Sequence, residues 1–346
     1  MANPPISPEL VRERVEVYRA NNLNVSATAR QIGIERPTLQ NTLRHAVAMG
    51  ILSEEERHGP NAPAREDYLS ARARKVEAFQ RKQRKGDWRK PVMARLPARP
   101  FRLKVFGDPH LDSDGCNFEL FERHWLDMDA AEGVYGICVG DWFDNWLRAL
   151  GHLWKNTTTD PSDAWLCLEY LMEERGDALI GACSGNHDDW SHGPADPVDL
   201  LMKKHGVIYR KGAVRIALNF DGLDPIFLAV RHKWRGHSIY SPAHGILRAG
   251  LWGWRDHLSI GGHIHQDDIR LLTHQDGFKQ HVCQVSAFKQ YDDFKDVQGF
   301  HGPVISPVWD YVVDPSKADT DPDKIKAFWT PEEAQGYLDW LRSRPS

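Results

Sequence analysis

The sequence predicts an α/β fold preceded by a small all-α domain. Three observations carry this. From Phe101 onward, short apolar runs of strand length alternate with helical patterns. Five of those runs lead directly into Asp, Asn or His, and the carboxyl edge of a sheet is where open α/β folds bind ligands. Ahead of them, residues 8–52 read as three short helices. Charge divides the chain at the same place. Residues 1–100 hold 19 Lys and Arg against 11 Asp and Glu, whereas residues 101–346 hold 25 against 37, within a net charge of −4. Histidine is skewed too, with 15 of 17 after residue 100.

The chain has 346 residues, 41% hydrophobic and 27% charged, which is ample material for a core. No apolar run reaches the ~18–20 residues a membrane span needs. The start, Met-Ala-Asn-Pro-Pro, lacks the basic and apolar regions of a secretory signal. Five cysteines (116, 138, 167, 183 and 283) have no Cys-x-x-Cys spacing, which reads as reduced thiols. A cytoplasmic protein without a membrane partner is the expectation.

The first helix, from Pro8 to about Ala20, carries Leu10, Val11, Val15 and Val17 on a broad apolar face. The second follows Asn24 or Ser26 as cap and ends at Gly33, which suits a left-handed turn. The third starts near Pro37 and points Leu39, Leu43 and Val47 inward, with Ala29 small enough for a close crossing. This pattern resembles a helix-turn-helix. In that reading Arg36, Gln40, Asn41 and Arg44 lie near DNA bases or phosphates. A trihelical assembly module is the alternative. Residues 53–100 read as a linker and basic arm, broken at 59–63 and helical from Asp67 to Lys85. From Arg72 to Arg102 there are 12 Lys and Arg and two acids, which is either a solvated face or a phosphate-contacting strap. The expected division is 1–52, 53–100 and 101–346.

The strands are expected at Phe101–Phe106, Val134–Val139, Ala178–Cys183, Phe227–Val230 and Leu258–Ile260, with helices at Asn117–Glu132 and Asp163–Glu174. A capped helix follows Thr330. The strands lead into Asp108-x-His110, Gly140-Asp141-x-x-Asp144, Gly185-Asn186-His187-Asp188, His232, and Gly262-His263-x-His265. The glycines let the backbone turn sharply beside a bound ion or phosphate. Carboxylate, amide oxygen and imidazole form a hard-to-borderline donor set, suited to Mn²⁺, Fe, Zn²⁺ or Mg²⁺. His237 competes with His232, which is preferred because it directly follows the apolar strand. Trp142, Trp190 and Trp234 adjoin these segments and either pack in the core or wall the site and stack on a base.

These five segments, in this order, resemble the calcineurin-like metallophosphoesterase family over about residues 101–312. The stretch Arg231–Ser238 resembles a subgroup met in bacteriophages. The resemblance implies a two-sheet α-β-β-α sandwich. It implies that Asp108, His110 and His265 hold one divalent metal ion and Asn186, His232 and His263 a second, Mn²⁺ being the first expectation, with Asp141 bridging. It implies that His187 protonates the leaving oxygen, that Asp188 orients His187, and that Asp144 hydrogen-bonds a ligand histidine. A metal-activated hydroxide would then attack phosphorus. Asn145 stands where the Ser/Thr phosphatase branch has an arginine, which weakens a protein-phosphatase reading. The expected function is a DNA-directed nuclease or phosphodiesterase, with DNA held through the front domain and arm. The alternatives are a phosphomonoesterase or small-nucleotide phosphodiesterase, and a DNA-binding regulator with an inert phosphoesterase domain.

Overall fold

The computed structural model describes residues 6–59, 65–85, 90–146, 157–190, 196–236, 238–253, 255–291 and 307–344. They form two compact units, Met1–Gly86 and Asp87–Ser346.

In the first unit, α1 (Pro8–Ala20), α2 (Val25–Gln31) and α3 (Arg36–Ala48) surround a small core. Val11, Val15, Tyr18, Ala29, Leu39, Leu43, Ala46 and Leu52 fill it. The Asn24 side chain accepts from the Ala27 N–H and starts α2. Gly33, at φ 67°, lets the chain turn into α3. A one-turn helix, α4 (Glu54–His58), closes over the core, and the Tyr18 hydroxyl reaches the Glu56 and Arg57 carbonyls at 3.1 and 2.9 Å. The helical domain therefore runs past residue 52. Helix α5 (Arg65–Lys85) follows and is exposed wherever its side chains are described.

The second unit is built on two six-stranded sheets. One is ordered β12 (Ile325–Phe328), β11 (Trp309–Val313), β2 (Phe101–Phe106), β3 (Val134–Cys138), β4 (Leu179–Cys183), β5 (Ile208–Arg210). The other is ordered β1 (Val92–Arg95), β6 (Ala213–Phe220), β7 (Leu223–Arg231), β8 (Leu258–Gly261), β10 (Lys279–Gln284), β9 (Asp268–Thr273). Strands β2 to β5 are parallel, and β11 and β12 are antiparallel additions. The sheets pack face to face, with Leu103, Val105, Ile137 and Val139 meeting Val214, Ile216, Leu228, Val230 and Ile260.

Helices cover the outer faces. Phe121 and Trp125 of α6 (Phe118–Leu126), Leu168 and Met172 of α7 (Pro161–Arg175) and Met202 of α8 (Pro197–Lys204) cover the first sheet. Ile246 of α9 (His244–Leu251) covers the second. Helix α10 (Pro331–Arg342), capped by Thr330, packs Ala334 and Leu338 on Val312. This is the α-β-β-α sandwich expected.

Two expectations need correction. The basic arm ends earlier than residue 100, because Val92–Arg95 is a strand pairing in parallel with β6. Four residues beside many Arg and Lys show too little periodicity to be read as a strand, and the pairing is made far along the chain. Helix α6 stops at Leu126, short of Glu132, where Asp127 caps it and its carboxylate turns to Arg102 and Lys104. Among the described residues no helix is long and apolar enough to cross a membrane.

Candidate metal centre

The site segments leave β2, β3 and β4 of one sheet and β7 and β8 of the other, all at carboxyl ends. The sandwich thus aims five loops at one point. Backbone bonds join them: Asp108 N–H donates to the Gly140 carbonyl at 2.9 Å and Gly262 N–H to the His232 carbonyl at 3.0 Å. Local conformation is forced rather than favoured. Asp108, His110, Asp141, Asn145, His263 and His265 all have φ between 45° and 78°, a region that costs non-glycine residues energy. Of the non-glycine residues with positive φ among those described, only Asn22 and Leu23 lie elsewhere. The glycines are needed for contact. A Cβ on Gly185 would sit 1.9 Å from Asp141 Oδ1, and one on Gly140 would sit 2.3 Å from the Gly185 nitrogen.

Two donor clusters result. In one, Asp108, His110 and His265 bring one ligand atom each within 4.8 Å of one another. His110 Nδ1 lies 2.8 Å from Asp144 Oδ1, which favours the proton there and turns the Nε2 lone pair to His265 Nε2 at 3.2 Å. In the other, His232 Nδ1 donates to the Val139 carbonyl at 2.9 Å. A carbonyl only accepts, so Nε2 of neutral His232 carries a lone pair. That lone pair faces Asn186 Oδ1 at 3.1 Å, His263 Nδ1 at 3.2 Å and Asp141 Oδ2 at 3.2 Å. Asp141 Oδ2 also lies 4.0 Å from His110 Nε2, between the two clusters.

Converging lone pairs repel unless a proton or cation lies among them. Asp108 Oδ1 is buried and has no hydrogen-bond partner. These oxygen and imidazole donors fit hard or borderline divalent cations, and no thiolate is among them. The pKa directions express the same crowding. Burial pushes Asp108 up to about 7, although His232 opposes it. Burial would lower His232, but Asp141 and Asp108 outweigh it and hold it at about 9. Burial, then neighbouring His232, holds His263 at about 4. Asp141 stays low, at about 2, because His232 overcomes burial.

His187 lies beside the first cluster and is half-buried. Its N–H donates to Asp141 Oδ1 at 2.9 Å, and its Nδ1 donates to the Asp144 carbonyl at 2.6 Å. Its ring centroid is 5.0 Å from that of His110. Burial lowers its pKa, with Asp141 pulling the other way. Asp188 departs from its expected role. Its carboxylate accepts from the N–H groups of Asp141, Trp142 and Gly185 at 2.8, 2.9 and 2.8 Å. It clamps the second and third loops, while the Asp144 carbonyl holds the His187 ring. A carboxylate one residue along the chain faces back under the turn, not along its neighbour's ring.

Three residues escaped the sequence reading. Buried Lys289 donates to both Asp144 oxygens at 3.1 and 2.9 Å. Buried Asp112 accepts from the Asp144 and Asn145 N–H groups. Trp146 packs on His187. Asp112 lies two residues beyond His110, a spacing that was a usable signal, whereas nothing near Lys289 in sequence marks it. Trp142 is fully buried, and Trp234 donates to the Ile260 carbonyl and packs in the cluster around α9. His237 lies outside the described residues. Arg36, Gln40, Asn41 and Arg44 are all exposed on α3 of the first unit.

No family model and no curated protein matches this chain. It is similar to three solved structures, among others. A conserved uncharacterized protein from Streptococcus pneumoniae, a predicted phosphoesterase, is 12% identical over 67% of this chain and 98% of that one, with a TM-score of 0.32. Vacuolar Protein Sorting 29 from Cryptosporidium parvum is 13% identical over 67% and 97%, with a TM-score of 0.34. The nuclease MPE of Pseudomonas putida is 13% identical over 65% and 87%, with a TM-score of 0.30. The site's own chemistry carries the functional reading.

Proposed function

We propose that this chain is a two-metal phosphoesterase of the calcineurin-like type, that it hydrolyses phosphodiesters, and that DNA is its substrate. The observation that carries the reading is the pair of donor clusters joined through Asp141. Asp108, His110 and His265 would hold one divalent cation, and Asn186, His232 and His263 the other. Bound there, the cations supply Lewis acidity, lowering the pKa of water and offsetting phosphate charge. Asp144 and Lys289 fix the His110 tautomer. His187 holds its Nδ1 proton against the Asp144 carbonyl, so Nε2 is the atom that takes up a proton to form the imidazolium and then gives that proton to the leaving oxygen, returning the ring to neutral. Asp188 keeps Asp141 and Gly185 in register.

The DNA reading is supported by the other unit. A three-helix core exposes Arg36, Gln40, Asn41 and Arg44, and α5 adds a solvated basic helix. A basic tether has a use where the catalytic body is acidic, since a polyanion is repelled by the body alone.

With Mn²⁺, the full chain is expected to release p-nitrophenolate from bis(p-nitrophenyl) phosphate, and Asp141→Asn to abolish release. No turnover with any divalent metal would overturn the enzyme in favour of an inert regulator. Turnover of p-nitrophenyl phosphate alone would replace the diesterase with a monoesterase. On duplex DNA at moderate salt, residues 87–346 should cut more slowly than the full chain, and equal rates would remove the tether.

A further inference from the structure

Trp146 and Trp190 are half-buried, and neither joins the clusters that fill the sandwich. Both lie against His187. The Trp146 ring meets it edge-on at 5.1 Å and 78°, and the Trp190 ring lies at 4.3 Å and 50°. The two indoles contact each other at 6.3 Å and 40°. Lys289, which holds Asp144, also lies 4.9 Å from the centroid of the Trp146 ring. The pair is therefore oriented from several sides and is only half-buried. Trp125 and Trp142, by contrast, fill the core beneath the first sheet. Half-buried paired aromatics beside a reacting centre match the way proteins stack unpaired bases.

The position assigns a side. His110 lies 5.0 Å from His187, on the side of the donor clusters, and the indoles pack against the same imidazole. We infer that Trp146 and Trp190 form a stacking platform for the nucleobase of the departing nucleoside, the one whose oxygen His187 protonates. The inference rests on the phosphoesterase reading above. It narrows the substrate to nucleotide esters whose departing base is unstacked, as at a strand end, a flap or a single strand. The indoles already touch, so a base is not sandwiched between them.

The test uses thymidylyl-thymidine and its two singly abasic analogues, with products separated so that the departing side is read directly. For the full chain with Mn²⁺, removing the departing base should lower kcat/KM about tenfold or more, while removing the other base should cost less. Trp190→Ala should erase that discrimination, and Trp190→Tyr should restore most of it. A second readout does not depend on turnover: thymidine 5′-phosphate should bind more tightly than methyl phosphate by calorimetry, and Trp190→Ala should level the two. Hydrolysis that ignores the departing base, with equal binding of the two phosphates, would overturn the platform and leave the phosphoesterase standing. Tighter, Trp190-dependent binding of thymidine 5′-phosphate without hydrolysis under any metal would keep the platform and overturn the phosphoesterase. No hydrolysis under any metal, together with equal binding of the two phosphates, would overturn both.

Discussion

At Asp188 a buried carboxylate takes N–H bonds from two loops at once. Burial, then the charge of Asp141, pushes its pKa up to about 7, against those bonds. Removing the carboxylate strands three buried donors, at about 1–3 kcal/mol each. Asp188→Ala should therefore lower the unfolding free energy by about 3 kcal/mol or more, in urea melts with chelator present. Lost turnover with unchanged stability would instead return Asp188 to the role of partner for His187. The neighbouring chain Lys289–Asp144–His110 shows the same limit of local reading. Asp144 was legible as a second partner of a ligand histidine. The cation that compensates it is 145 residues away in sequence.

Strand β2 carries the most demanding arrangement at the scale of elements. It is buried along its whole length, so Arg102 and Lys104 cannot reach bulk water. They share Asp127, at the end of α6, and Asp310 on β11, at 2.6 to 3.2 Å. Alternation predicted this strand from its apolar positions and left the cations unexplained. The register of β11 on β2 sets Asp310 opposite Lys104, which completes the group. Asp310→Ala leaves two buried cations to one half-exposed carboxylate, and breaking such a group costs about 3–5 kcal/mol. Chemical denaturation should show that loss. A change below about 1 kcal/mol would mean that water or Asp127 replaces Asp310 fully.

Acid stability belongs to the whole molecule. Burial holds His124 and His281 near 4, below the ordinary 6.5, with Lys104 adding to the effect at His124 and His257 at His281. Between those values the unfolded chain binds protons that the folded chain refuses. Their contribution is complete above about 6.5 and is lost as pH falls towards 4. In metal-free protein His281→Gln should flatten the fall in stability across that window, read from melting temperatures at a series of pH values. An unchanged slope would show that His281 is not held neutral. The chain also divides into two compact units at this scale. The first exposes Arg36, Gln40, Asn41 and Arg44, and the second holds the donor clusters.

The sequence by itself determined where the Asp, Asn and His donors would stand after each strand. A short apolar run followed by Gly, Asp, Asn or His is a local pattern, and the resemblance in order of five such segments supplied the sandwich. The three helices of the front domain were legible for the same reason, through Asn24, Gly33 and the inward Leu39 and Leu43. Only the tertiary structure decided which sheet each strand joined, that Val92–Arg95 belongs to the sandwich, and what faces what. It turned Asp188 from an aide of His187 into a clamp, brought Lys289 to Asp144, and put Trp146 beside Trp190. These contacts join residues distant in the chain or set the direction of a side chain. Spacing along a strand or helix encodes neither, because both follow from how separate elements pack.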